Sequence, residues 1–269
     1  MPANPFDQAL RWWSAQLNWA HTPTLWALAS FAVAVIGSNL LWMVCQSRRR
    51  PAQHLASWLA TLPGQGLLWL ARVAWLIGPG YAALLAGAAS PRLMGLSQID
   101  WGSGLGWGVG FAALALAVLL AGGLSYRRSQ SPAAPGAAPW PSLSAAIAGS
   151  ALLFFEAGAF QFQWAFYRSA AIEGAANLGA PNPVMAGVWL AVVIIGLQAL
   201  LSPWFWRDLR TPDLAGRQVL RAALLLTTSV VYLLSRNFWL AWVLHASAVV
   251  LLEPRLTPHP ALARWKLRN

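Results

Sequence analysis

Glu156 lies near the middle of an apolar run from Leu143 to Tyr167, and His245 lies inside another, eight residues after Asn237. A carboxylate in hydrocarbon costs about 2.5 kcal/mol or more even on permissive scales, so it normally faces a bundle interior and marks a working site or a structural pair. A carboxylate and an imidazole from different helices could bind a divalent metal such as zinc, or activate water as a general base. Glu156, Gln163 and Tyr167 stand at i, i+7 and i+11, which puts them on one helix face. Gln161 and Arg168, also seven apart, form a second polar line about a third of a turn round. Thr228, Tyr232 and Ser235 recur at i, i+4 and i+7 in a further run, followed by Asn237. The candidate catalytic residues are therefore Glu156, Gln163, Arg168 and His245, within a polar network of Gln161, Tyr167, Thr228, Tyr232 and Asn237. Zinc usually takes three protein ligands. His54 and His259 fall in expected loops and His21 at a boundary, so no third ligand is evident. Three readings stay open: a hydrogen-bonded Glu-His or Glu-Arg pair that fixes helix register, a catalytic or metal centre, and a proton or ion path.

The elements that must position these groups follow from composition. The 269 residues are 58% hydrophobic and 9% charged, and several apolar runs reach the roughly 20 residues needed to cross a bilayer. Backbone groups in lipid must be satisfied internally, so the fold class is all-α, a polytopic transmembrane helical bundle. Seven spans are expected, at about 23–45, 66–88, 104–124, 143–167, 184–206, 218–235 and 237–252, forming one membrane domain over 23–252. Read as a single helix, 218–252 would run about 52 Å, far beyond a hydrocarbon core of roughly 30 Å. A break near Ser235-Arg236-Asn237 is expected instead.

Phe6, Leu10, Trp13 and Leu17 recur at helical spacing opposite Asp7, Arg11 and Ser14, which predicts an interfacial N-terminal helix within 1–22. The first twenty residues lack a short apolar region followed by a small-residue cleavage site. The proline-rich stretch 129–141 reads as a cytoplasmic linker, and 253–269 as a basic cytoplasmic tail.

The charge of +11 does not form a basic stripe interleaved with aromatics, which argues against nucleic acid as a partner. Thirteen of the eighteen basic residues alternate onto one side of the expected spans, and Arg11, Arg92, Arg168 and Arg236 fall on the other. Arg72 sits inside the second span. The positive-inside rule then puts the N-terminus outside and the C-terminus in the cytoplasm, across a cell (inner) membrane. Many of the eighteen tryptophans lie near run ends, where indole favours the headgroup zone. The lone Cys45 excludes an intrachain disulfide. Gly78-Pro79-Gly80 should bend the second span. The glycines at 102, 104, 106, 108 and 110 should let helices approach closely, since no preceding strand makes them a nucleotide loop.

Two segments carry a likeness to a known family: Phe162-Gln163-Trp164-Ala165-Phe166-Tyr167-Arg168, and Ser235-Arg236-Asn237-Phe238-Trp239-Leu240-Ala241-Trp242-Val243-Leu244-His245. Together they resemble the CPBP (Abi) family of intramembrane proteases, the CAAX-processing and bacteriocin-immunity group, over about 143–252. The resemblance implies a multi-helix bundle in which a glutamate pair and a histidine activate water for peptide-bond attack inside the membrane. Arg168 matches the motif arginine and His245 a motif histidine. Gln163 and Trp164 stand where the two glutamates belong, Ala241 replaces an aromatic, and Val249 stands where a second histidine helix would carry asparagine or aspartate. Glutamine can hold a water but cannot take its proton. The expectation is a non-catalytic relative that acts as a scaffold or binds a membrane partner. The alternative is an active metal-dependent endopeptidase using Glu156 and His245 on a peptide substrate. A subunit of a larger membrane complex or a small transporter is the third reading.

Overall fold

The computed structural model describes residues 22–99, 101–102, 104–129 and 143–256, and these are all-helical, with no strand among them. In chain order the helices are α1 (Pro23–Gln46), α2 (Arg50–Leu59), α3 (Leu62–Leu85), α4 (Leu105–Ser129) and α5 (Leu143–Asn177). They continue with α6 (Pro183–Leu200), α7 (Pro203–Leu209), α8 (Pro212–Ser235) and α9 (Phe238–Leu256). Proline opens most of them, at Pro23, Pro51, Pro63, Pro183, Pro203 and Pro212. Its fixed φ suits the first turn, where its missing N–H is no loss. Asn182 caps α6 by accepting from the Met185 amide at 3.1 Å, and Asn237 caps α9 by accepting from Leu240 at 3.1 Å.

Five of these helices are long and apolar enough to cross a membrane: α1, α3, α4, α6 and α8. The chain is a multi-pass membrane protein, with five such helices among the described residues rather than the seven expected. Two expected spans are not among these five. The fourth lies within the 35-residue helix α5, which carries Glu156, Gln161, Gln163, Arg168 and Glu173 along its length. The last carries only the short apolar stretch Phe238–Leu252. The expected fifth span also divides, since Ser202-Pro203 ends α6 and starts the short α7. The loop expected after residue 45 contains a helix, α2, on which His54 lies. The N-terminal helix, the linker beyond Ser129, the tail beyond Leu256, His21 and His259 lie outside the described residues.

The bundle is organised around α5, which packs against α1, α3, α6 and α9, while α9 also packs against α4 and α8. Only 6% of the α1 span is buried against 44% of the α8 span. Apolar side chains therefore face outward on α1 (Leu28, Val33, Ile36), α4 (Leu114, Val118) and α6 (Val193), as a bilayer-contacting surface requires. Small residues set the closest approaches. A Cβ on Gly187 would lie 2.3 Å from the Ile172 Cα, where α6 crosses α5. On the glycine-rich start of α4, Gly104 and Gly108 pack on Ser235, whereas Gly106 and Gly110 face open space. Close packing thus involves one side of that stripe. The Gly78-Pro79-Gly80 stretch does not interrupt α3, which runs through it. Gly80 is instead where the α5 aromatics Phe162 and Phe166 come closest.

The α8–α9 junction is tight. Arg236 closes α8 in the left-handed region, at φ 51°. The loop before α4 docks on this turn: Phe238 N–H donates to the Gly95 carbonyl at 3.0 Å. Gly95 has φ +75° and a Cβ there would meet the Arg236 oxygen at 2.8 Å, so only glycine fits without strain.

Candidate functional site

A cavity of about 20 Å³ is walled by one face each of α5, α8 and α9, room for about one water. From α5 come Leu153, Glu156, Ala157 and Phe160; from α8, Arg217, Leu220 and Arg221; from α9, His245 and Val249. The spacings of three and four are those of a single helix face. Glu156 and His245, which the sequence places on separate helices, therefore line one cavity from different walls.

Both groups already have protein partners. Arg72, from α3, places Nη2 2.8 Å from Glu156 Oε1 and its guanidinium carbon 5.1 Å from the Phe160 ring centre. The Gln161 amide nitrogen lies 2.9 Å from His245 Nδ1 and donates to Thr228 Oγ1 at 3.1 Å. With that amide donating, Nδ1 accepts and the imidazole proton resides on Nε2. Thr228 in turn donates to the Leu224 carbonyl at 2.7 Å. The imidazole is buried and stacked on Trp164, with Phe160 6.2 Å away on a plane inclined by 30°.

The other candidates point elsewhere. The Tyr167 hydroxyl donates to Gln198 Oε1 at 3.1 Å and lies 3.1 Å from Ser30 Oγ. Gln163 is buried with its amide nitrogen unpartnered. Arg168 is only 1% exposed, and among the described residues none of its guanidinium nitrogens finds a hydrogen-bond acceptor. Its guanidinium sits 4.7 Å from the centre of the Tyr232 ring, and the Tyr232 hydroxyl donates to the Leu93 carbonyl. Neither Arg168 nor Gln163 lines the cavity. Asn237 serves as the α9 cap.

No family model, curated protein or solved structure matches this chain.

Zinc does not fit the groups present. Among the described residues no three histidine, cysteine, aspartate or glutamate side chains come together. Of the two that share the cavity, one faces a guanidinium and the other has its Nδ1 lone pair engaged. Sequence reasoning missed Arg72, Arg217 and Arg221 as members of the site. A signal was there: single opposite charges in two apolar runs, Arg72 and Glu156, tend to pair, and Arg217 and Arg221 stand four apart.

Proposed function

We propose that this multi-pass protein is a non-catalytic, CPBP-like relative that works by binding a partner within or beside the membrane. The supporting observation is that the imidazole is spoken for: His245 Nδ1 accepts from Gln161, while Glu156 pairs through Oε1 with Arg72 rather than with His245. A general base needs a free lone pair within hydrogen-bond reach of the proton it takes. The polar groups then act as register pins between α3, α5, α8 and α9. In this reading the N-terminus is outside and the C-terminus cytoplasmic, as the arginine distribution favours. Reporter fusions at each end test that orientation.

The test of function is to reconstitute the protein in vesicles with a panel of transmembrane and lipidated-tail peptides, analysed by mass spectrometry. The expected result is no cleavage by the parent and reduced thermal stability in Glu156→Gln and His245→Ala. Cleavage by the parent that either substitution abolishes would establish the second reading, a hydrolase. That alternative draws on the one cavity that Glu156 and His245 both line.

A further inference from the structure

The cavity and its immediate surroundings gather three arginines and one glutamate. Arg217 and Arg221 are four apart on α8 and both line it, while Arg72 reaches the same place from α3 through Glu156 and Phe160. Arg221 places its guanidinium carbon 5.3 Å from the centre of that same Phe160 ring. Three guanidinium groups thus meet one carboxylate, and the carboxylate is in contact with Arg72. Among the described residues Arg221 has no hydrogen bond or ion pair; its charge acts on the Phe160 ring and on the His245 imidazole. A guanidinium over an aromatic ring keeps its N–H donors available, and that planar fork matches phosphate oxygens.

Position selects the source of the phosphate. The apolar segment of α8 begins at Leu214, so Arg217 and Arg221 lie roughly 4.5 and 10 Å along the helix from that end. Long arginine side chains reach toward the headgroup layer from such depths, and basic pockets between membrane helices are fitted to anionic headgroups. The cavity has room for one water, so a phosphodiester would seat at its mouth rather than inside.

We propose that the arginines at this cavity mouth, Arg217 and Arg221 with Arg72 behind them, bind the phosphate of an anionic phospholipid. This names the partner of the binding role above and rests on it. The lipid test below does not read catalysis: peptide cleavage would end that role without moving the lipid signal, and a silent lipid signal would leave the cleavage result as it stands.

The experiment measures thermal unfolding of the full-length protein in zwitterionic detergent, with phosphatidylglycerol, phosphatidylcholine or inorganic phosphate added, and counts bound lipids by native mass spectrometry. Phosphatidylglycerol is expected to raise the unfolding temperature and to remain bound, while the other two do neither. The double variant Arg217→Gln/Arg221→Gln should weaken phosphatidylglycerol binding about tenfold or more, as loss of two charge-assisted contacts implies. Should that variant misfold, Arg221→Lys keeps the charge but loses the fork, and should reduce the shift. Equal stabilisation by phosphatidylcholine, an undiminished shift in these variants, or a shift reproduced by inorganic phosphate would each overturn the assignment.

Discussion

The imidazole of His245 lies face to face with the indole of Trp164, ring centres 5.1 Å apart and planes 20° from parallel. These residues come from α9 and α5, and Gln161, three residues before Trp164, holds the imidazole nitrogen. One ring is therefore fixed by stacking and by a hydrogen bond from the same helix, which is the geometry of a packing element.

His245→Leu should cost about 2 kcal/mol, because it removes the acceptor and leaves the Gln161 amide buried with Thr228 alone. Adding Gln161→Leu removes the stranded amide, so the double variant should recover part of the loss, with coupling of about 1 kcal/mol. Unfolding by denaturant titration in detergent reads the cycle; strictly additive losses would count against it.

The Arg72–Glu156 pair gives a second cycle. Each single change, Arg72→Met or Glu156→Met, strands a charge and should destabilise by about 1–3 kcal/mol, less than a fully buried pair because Arg72 is 40% exposed. The double change should return close to the parent. Thermal unfolding of all four proteins checks this, and a double variant worse than either single would refute it.

Two glycines on α6 make a matched comparison. Gly187→Ala drives a methyl into the backbone of Ile172, so α5 and α6 must separate at a cost of about 3 kcal/mol or outright loss of folded protein. Gly196→Ala meets nothing within 4 Å and should be neutral or gain up to about 1 kcal/mol from helix propensity. Yield and unfolding temperature of the two variants should differ in that direction.

Arg168 is a buried cation with no hydrogen-bond acceptor among the described residues. Arg168→Met keeps length and apolar contact with Tyr232 while removing the stranded donors, and should leave stability unchanged or raise it by about 1–4 kcal/mol. A marked fall would mean that the guanidinium has an acceptor in the membrane.

Much of the fold was legible because lipid imposes a simple requirement on composition: long apolar runs mark α1, α3, α4, α6 and α8. The break at Ser235-Arg236-Asn237 was legible from length. Elsewhere the apolar signal misleads. The helix α5 continues past Tyr167 to Asn177 through Arg168, Ser169 and Glu173, polar residues that look like an exit from the membrane. The division of α6 from α7 hides in an unbroken hydrophobic stretch at Leu201-Ser202-Pro203. The meeting of Glu156 and His245 at one cavity was within reach, but the different neighbours that the other polar residues find were not. Successive positions on α5 turn by about 100°. Gln161 meets α8 and α9, Tyr167 meets α1 and α6, and Arg168 meets Tyr232. One helix's sequence shows which side chains need company but not which neighbour each will find.

The brevity of the α9 apolar stretch has a consequence for the surrounding lipid. Fifteen residues, Phe238–Leu252, span about 22 Å, well under the thickness of a typical hydrocarbon layer of about 30 Å. On the periphery such a helix would force the annulus of lipid to thin around it, at a cost for each ångström of mismatch. Here Ala241, Leu244, Ala248 and Leu252 are enclosed by other helices, while Trp239, Val243 and Leu251 face outward. On the enclosed face protein rather than acyl chains absorbs the shortfall, and only the narrower outward face asks the lipid to adjust.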